Sequence, residues 1–140
     1  MSYKKQILIL LTVFIVIFIV GFELASPRDI GLCAKNDSVC NYEFGASYGL
    51  PIWFLSLAII LTLIVLLFSP ERAYHAWKKF ALVSIPLGAI WIATTPVSCG
   101  GGFGLSLCFN KEAITWLTSG LFLGISLIII LVSSLRKKNP

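Results

Sequence analysis

The sequence predicts an all-α integral membrane protein: one domain, residues 1–140, built as a four-transmembrane-helix bundle of two tandem helix hairpins with both termini cytoplasmic. Three observations predict it. Hydrophobic residues make up 58% of the 140 and charged residues only 12%, whereas a soluble domain carries about a quarter charged. The apolar residues gather into four runs, each near the ~20 residues that cross a bilayer as a helix. The basic residues are shared unevenly among the connections between those runs, which is how orientation is encoded.

The first run, 6–25, reads "QILILLTVFIVIFIVGFELA". It follows Lys4 and Lys5 as a signal peptide would, but it is long for a signal core and "FELASP" is a poor small-residue cleavage site. It is therefore expected to be a retained helix. The second run covers 50–69, the third 80–98 and the fourth 113–135. The connections left over, 26–49, 70–79 and 99–112, are too short to hold a soluble core.

Charge sets the sides. The chain start, the 70–79 connection and the chain end hold Lys4, Lys5, Arg72, Lys78, Lys79, Arg136, Lys137 and Lys138, eight of the eleven basic residues. The 26–49 and 99–112 connections hold Arg28, Lys35 and Lys111, with most of the acids. Basic residues close to helix ends stay in the cytoplasm, so these two connections are expected outside and 70–79 inside. The location expected is the plasma (inner) membrane. The net charge of +5 then reflects topology; a lipid bilayer is the expected surroundings and nucleic acid is not an expected partner.

All four cysteines, Cys33, Cys40, Cys99 and Cys108, fall in the two outer connections, as expected of disulfides in an oxidising compartment. Four cysteines allow three pairings. One bridge within each loop, Cys33–Cys40 and Cys99–Cys108, is the expectation, and a cross-loop pairing is its rival. A short loop closed this way gains ~2.5 kcal/mol in the chain-entropy model. The C-x6-C and C-x8-C spacings do not suit zinc, and the only histidine, His75, is expected on the other side of the membrane, so no metal is expected. The glycines of "SCGGGFGLSLCF" do not match a phosphate-binding loop and fit a tight turn beside Pro96.

The two halves resemble each other. Tyr3-Lys4-Lys5 is matched by Trp77-Lys78-Lys79, each cysteine pair is followed by an Asn-x-Glu (Asn41–Glu43 and Asn110–Glu112), and "FLSLAIIL" is matched by "FLGISLIIIL". Gly120 and Gly124 in the fourth run, and Ser84 and Gly88 in the third, have the spacing that lets membrane helices approach closely. They are expected to pack the bundle first and a partner second. Pro86 and Pro96 are expected to bend or end the third helix. Trp53, Trp91, Trp116, Tyr42 and Tyr48 are expected toward the outer interface, with Tyr74 and Trp77 at the inner one. No Asp, Glu, Lys, Arg or His lies mid-run, which argues against a pump or proton-coupled transporter.

With a cysteine pair in each of two outer loops and cytoplasmic ends, the layout resembles the DsbB family of membrane disulfide oxidoreductases, including its short BdbC-type members. The stretch "CAKNDSVCNYEFGASYGLPIWFLSLAI" is similar to the loop-to-helix passage of BdbC and of vitamin K epoxide reductase relatives, with Cys33, Cys40, Ser47, Gly49 and Pro51 at the corresponding places. The resemblance implies a quinone-linked thiol-disulfide oxidoreductase acting through Cys33/Cys40 and Cys99/Cys108, with quinone as cofactor. Both families use a Cys-x-x-Cys, whose close spacing lowers the thiolate pKa, and this chain has none.

The leading expectation is therefore a small non-enzymatic membrane protein with no cofactor and no catalytic residue. Its two disulfide-stapled outer loops would bind a membrane or extracytoplasmic protein, as an accessory subunit or an immunity-type protein. The residues expected to make that surface are Tyr42, Glu43, Phe103, Leu105 and Phe109. The alternatives are the redox enzyme and, third, a small-molecule channel or transporter suggested by the repeat and the glycine-rich loop.

Overall fold

A computed structural model describes residues 2–34, 36–97 and 110–135. They form α1 (Tyr3–Ala25), α2 (Ser38–Phe44), a π-helical turn (Gly45–Gly49), α3 (Leu50–Leu67), α4 (Glu71–Thr94) and α5 (Lys111–Leu135), with no strand among them. Among the described residues four helices are long and apolar enough to cross a membrane: α1, the continuous stretch Ser38–Leu67, α4 and α5.

Local chemistry sets the ends. α1 stops at Ala25, where Ser26 donates its N–H to the Glu23 carbonyl and Pro27 cannot extend the ladder. The α2 N-cap is Asp37, whose carboxylate accepts the Cys40 N–H at 2.9 Å. Asn110 does the same for α5, accepting the Ala113 N–H at 2.9 Å. Pro70 sits at the N-cap of α4, a place where a missing N–H does no harm.

The expected 70–79 loop is helix. α4 begins at Glu71 instead of Phe80, and only Phe68, Ser69 and Pro70 separate it from α3. A run of charged residues marks where an apolar span ends, and the backbone carries on helically past that point. Tyr74 and Trp77, expected at an interface, are buried in the core beside Ala73, Leu63 and Leu66. At its other end α4 stops at Thr94, two residues before Pro96, and it passes through Pro86 without losing helical structure.

α1 packs along α3, α3 along α5, and α5 along α4. α4 also meets α1 at one end of the bundle, where the Tyr74 hydroxyl donates to Gln6 Oε1 at 3.0 Å and the Tyr3 ring lies against Tyr74. Here the helices are joined by the short α3–α4 link. At the opposite end, called the cap, lie the α1–α2 connection, the end of α4 and the start of α5. Each half of the chain is thus an antiparallel helix pair, α1 with α3 and α4 with α5.

Two of the small-residue expectations separate here. Gly88 packs α4 on α5: a Cβ there would lie 2.8 Å from Thr118 Cγ2. Gly120 and Gly124 face away from the bundle, and a Cβ on either would meet nothing within 4 Å. Their spacing does not pack this chain upon itself. The closest backbone approaches lie elsewhere, at Gly21 against Ile52 and Trp53, and at Gly49 against Leu24 and Ala25.

Several hydroxyls are satisfied within their own helices, although Thr118 Oγ1 and Ser119 Oγ on α5 are buried without a partner among the described residues. Thr12, Ser56, Thr62, Ser84 and Thr115 each donate to the carbonyl four residues back, the arrangement Ser and Thr adopt in helices that lack water to bond. Trp77 Nε1 donates to Ser126 Oγ at 3.1 Å across the α4–α5 contact.

Candidate functional site

The cap is built from the α1–α2 connection upward. Cys33 and Cys40 are joined by a disulfide with their Cα atoms 5.9 Å apart, the pairing expected within this loop. Cys33 is buried, its N–H directed to the Pro27 carbonyl, and Asn41 Oδ1 accepts the Arg28 N–H at 3.3 Å. Gly31 takes the left-handed conformation, φ 75°, that lets the loop reverse. Disulfide, cap and hydrogen bonds tie residues 27–34 and 36–41 together over the end of α1.

This part of the cap shows apolar side chains to its surroundings. Ile30 is 43% exposed, Leu32 55%, Val39 65% and Tyr42 52%. Glu43, next to Tyr42 on α2, is exposed too. Tyr42 and Glu43 are thus both accessible on α2. Cys99, Phe103, Leu105, Cys108 and Phe109 lie outside the described residues.

Below this part of the cap, Pro51 shapes the next feature. Its ring occupies the space of the Ser47 carbonyl four residues back and it offers no N–H. The turn Gly45–Gly49 widens into a π-helix in response, a device found often at functional sites. Gly45 and Gly49 on this turn press against Ala25, so a side chain at either would strike α1. With the glycines turned to α1, Ser47 and Tyr48 line a cavity of about 430 Å³ between α3 and α4. Its walls continue through Pro51, Ile52 and Leu55 on α3 and Ala89, Ile92 and Ala93 on α4, and Lys111 closes one side from the start of α5. Lys111 is only 9% exposed; its N–H donates to the Pro96 carbonyl at 2.9 Å, which fixes the first turn of α5 here.

An aromatic row runs across the same level of the bundle. Phe22 meets Trp53, Trp53 meets Phe54 and Phe54 meets Trp116, with ring centroids 5.9, 4.7 and 4.1 Å apart. It links α1, α3 and α5 just beneath the cap. Trp53 Nε1 is buried with no hydrogen-bond partner among the described residues.

Sequence reasoning anticipated the Cys33–Cys40 pairing but missed α2 and the cavity. Ser47, Tyr48 and Lys111 lie far apart in the chain, and nothing in their spacing says that they share a wall. A partial signal was present: Gly45 and Gly49 four residues apart, followed by Pro51. Among the described residues no group of three or more His, Cys, Asp or Glu side chains is arranged to hold a metal. Compared with known proteins, the chain matches no family model, no curated protein and no solved structure.

Proposed function

We propose that this chain is a small multi-pass protein of the plasma (inner) membrane, with both termini cytoplasmic and the cap outside. It acts without catalysis, as an accessory or immunity-type subunit whose disulfide-braced cap binds a membrane or extracytoplasmic protein. Insertion is supported by α1, which buries only Ile7 and Gly21 and turns Leu8, Val13, Val16, Val20 and Phe22 outward. That much continuous apolar surface suits lipid and not water. The orientation is supported by the clustering of basic residues at the opposite end from the cap.

The observation that carries the binding role is the set of exposed apolar side chains Ile30, Leu32, Val39 and Tyr42 on and beside the loop that the Cys33–Cys40 bridge closes. A pre-ordered surface loses little conformational freedom on binding, and an aromatic among aliphatics is the composition of an interface core. The test is Val39→Ser combined with Tyr42→Ser, followed by quantitative recovery of native partners with the tagged protein. Recovery falls while expression and thermal stability stay at the wild-type level. Unchanged recovery of every partner assigns these side chains to the lipid headgroups and removes the cap as the binding site.

One observation favours a second reading. The cavity beside Ser47 and Lys111 is within the ~300–1,000 Å³ of small-molecule sites, and Lys111 follows Cys108 by three residues in the chain. A thiol-disulfide oxidoreductase needs such a place for quinone near its second cysteine pair. Reduction of Cys33–Cys40 by a dithiol substrate, followed by reoxidation that passes its two electrons to quinone, would establish that reading over the first.

A further inference from the structure

The cavity between α3 and α4 is graded along the helix axis. Ser47 and Tyr48 stand one turn above Pro51 and Ile52, which stand one turn above Leu55; on the facing helix Ala93 stands one turn above Ala89. Hydroxyls therefore lie at the cap end and hydrocarbon lies deeper. Lys111 adds the one charge in a wall otherwise made of apolar side chains and these two hydroxyls.

We infer that this cavity binds a single-tailed anionic amphiphile, an oxyanion such as a carboxylate or monoester phosphate on one alkyl chain. The head lies at Lys111, Ser47 and Tyr48, and the tail runs down between Leu55 and Ala89. Lys111 is nine-tenths buried as a residue while its ammonium stays accessible, so an oxyanion can reach it, and beside an otherwise apolar wall an opposite charge offsets the cost of its partial desolvation. Hydrogen bonds from an ammonium to an oxyanion are about twice as strong as neutral ones. Ser47 and Tyr48 each supply a further O–H donor. The alanines at 89 and 93 leave the width that a tail requires. This site is separate from the exposed cap patch, and its occupancy does not depend on the cap having a protein partner.

The full-length protein in non-ionic detergent is titrated with radiolabelled palmitate. Hexadecanol, dodecyl phosphate, inorganic phosphate and decylubiquinone serve as competitors. Palmitate binds saturably; dodecyl phosphate competes, while hexadecanol and inorganic phosphate do not. Lys111→Gln weakens palmitate binding by about tenfold or more, the loss of one charge-assisted hydrogen bond, and Lys111→Arg retains it. Ala93→Phe, which keeps every charge and fills the cavity, abolishes binding, so the assignment stands or falls even where Lys111→Gln does not fold. Undiminished binding by Lys111→Gln or by Ala93→Phe overturns the site. Competition by hexadecanol or decylubiquinone as strong as by dodecyl phosphate overturns the anionic head.

Discussion

Gly49 lies so close to Ala25 that a Cβ on it would fall among the backbone atoms of Leu24 and Ala25. Through this contact the end of α1 seats the π-helical turn, and the turn in turn sets Ser47 and Tyr48 into the cavity. The neighbour that must move is backbone, which yields less readily than a flexible side chain.

Gly49→Ala is therefore expected to destabilise the protein by about 1–3 kcal/mol, the range for overpacking a tight site. Gly120→Ala, where a Cβ meets nothing within 4 Å, is expected to leave stability unchanged or slightly raised through better helix propensity. Thermal denaturation of the two variants in the same detergent separates them. Equal effects would mean that Gly49 does not hold α1 to the turn.

The α4–α5 contact makes a second prediction. Trp77 Nε1 and Ser126 Oγ are 3.1 Å apart and buried. In a double-mutant cycle of Trp77→Phe and Ser126→Ala the coupling is expected near 0.6 kcal/mol and no more than about 1.7, the scale for polar pairs between membrane helices. Reversible unfolding in mixed micelles measures it. A coupling of zero would mean that each group finds another partner when the first is removed.

For the cap, Cys33→Ser with Cys40→Ser is expected to lower stability by about 2.5 kcal/mol while the four long helices remain folded. Far-ultraviolet circular dichroism reads the helices and thermal denaturation reads the loss. In the native protein the bridge is expected to stay oxidised in the presence of an extracytoplasmic thiol oxidoreductase and quinone. Turnover of the bridge under those conditions would replace the staple with the redox enzyme.

The long helices were legible in the sequence because a bilayer demands about twenty apolar residues in a row. What was misjudged follows from the same rule. The sequence predicts a connection over 70–79 because Glu71, Arg72, Lys78 and Lys79 interrupt the apolar pattern, yet Ala73, Tyr74 and Trp77 among them face the core. The sequence predicts an outer connection over 26–49, whereas Asp37 is a good N-cap and α2 runs from it into α3. Cys33–Cys40 could be expected from spacing alone, because both residues lie in one short segment. The π-helical turn and the cavity could not. They arise where Pro51, two glycines and Ala25 meet across helices, and single-chain periodicity carries no record of that meeting. The Gly120–Gly124 spacing misled for a related reason: it shows that a face is small, not which way it points.

Topology tests the central claim most directly, because the binding cap and its disulfide both require the cap to be outside. Single cysteines are placed at Ser38, on the cap, and at Lys78, exposed near the opposite end, in a background whose native cysteines are serine. Intact cells are then treated with a membrane-impermeant maleimide. The expected result is labelling at position 38 alone, with position 78 reacting only after the membrane is permeabilised. Labelling at position 78 in intact cells, with none at position 38, would contradict the proposed orientation and the function built on it.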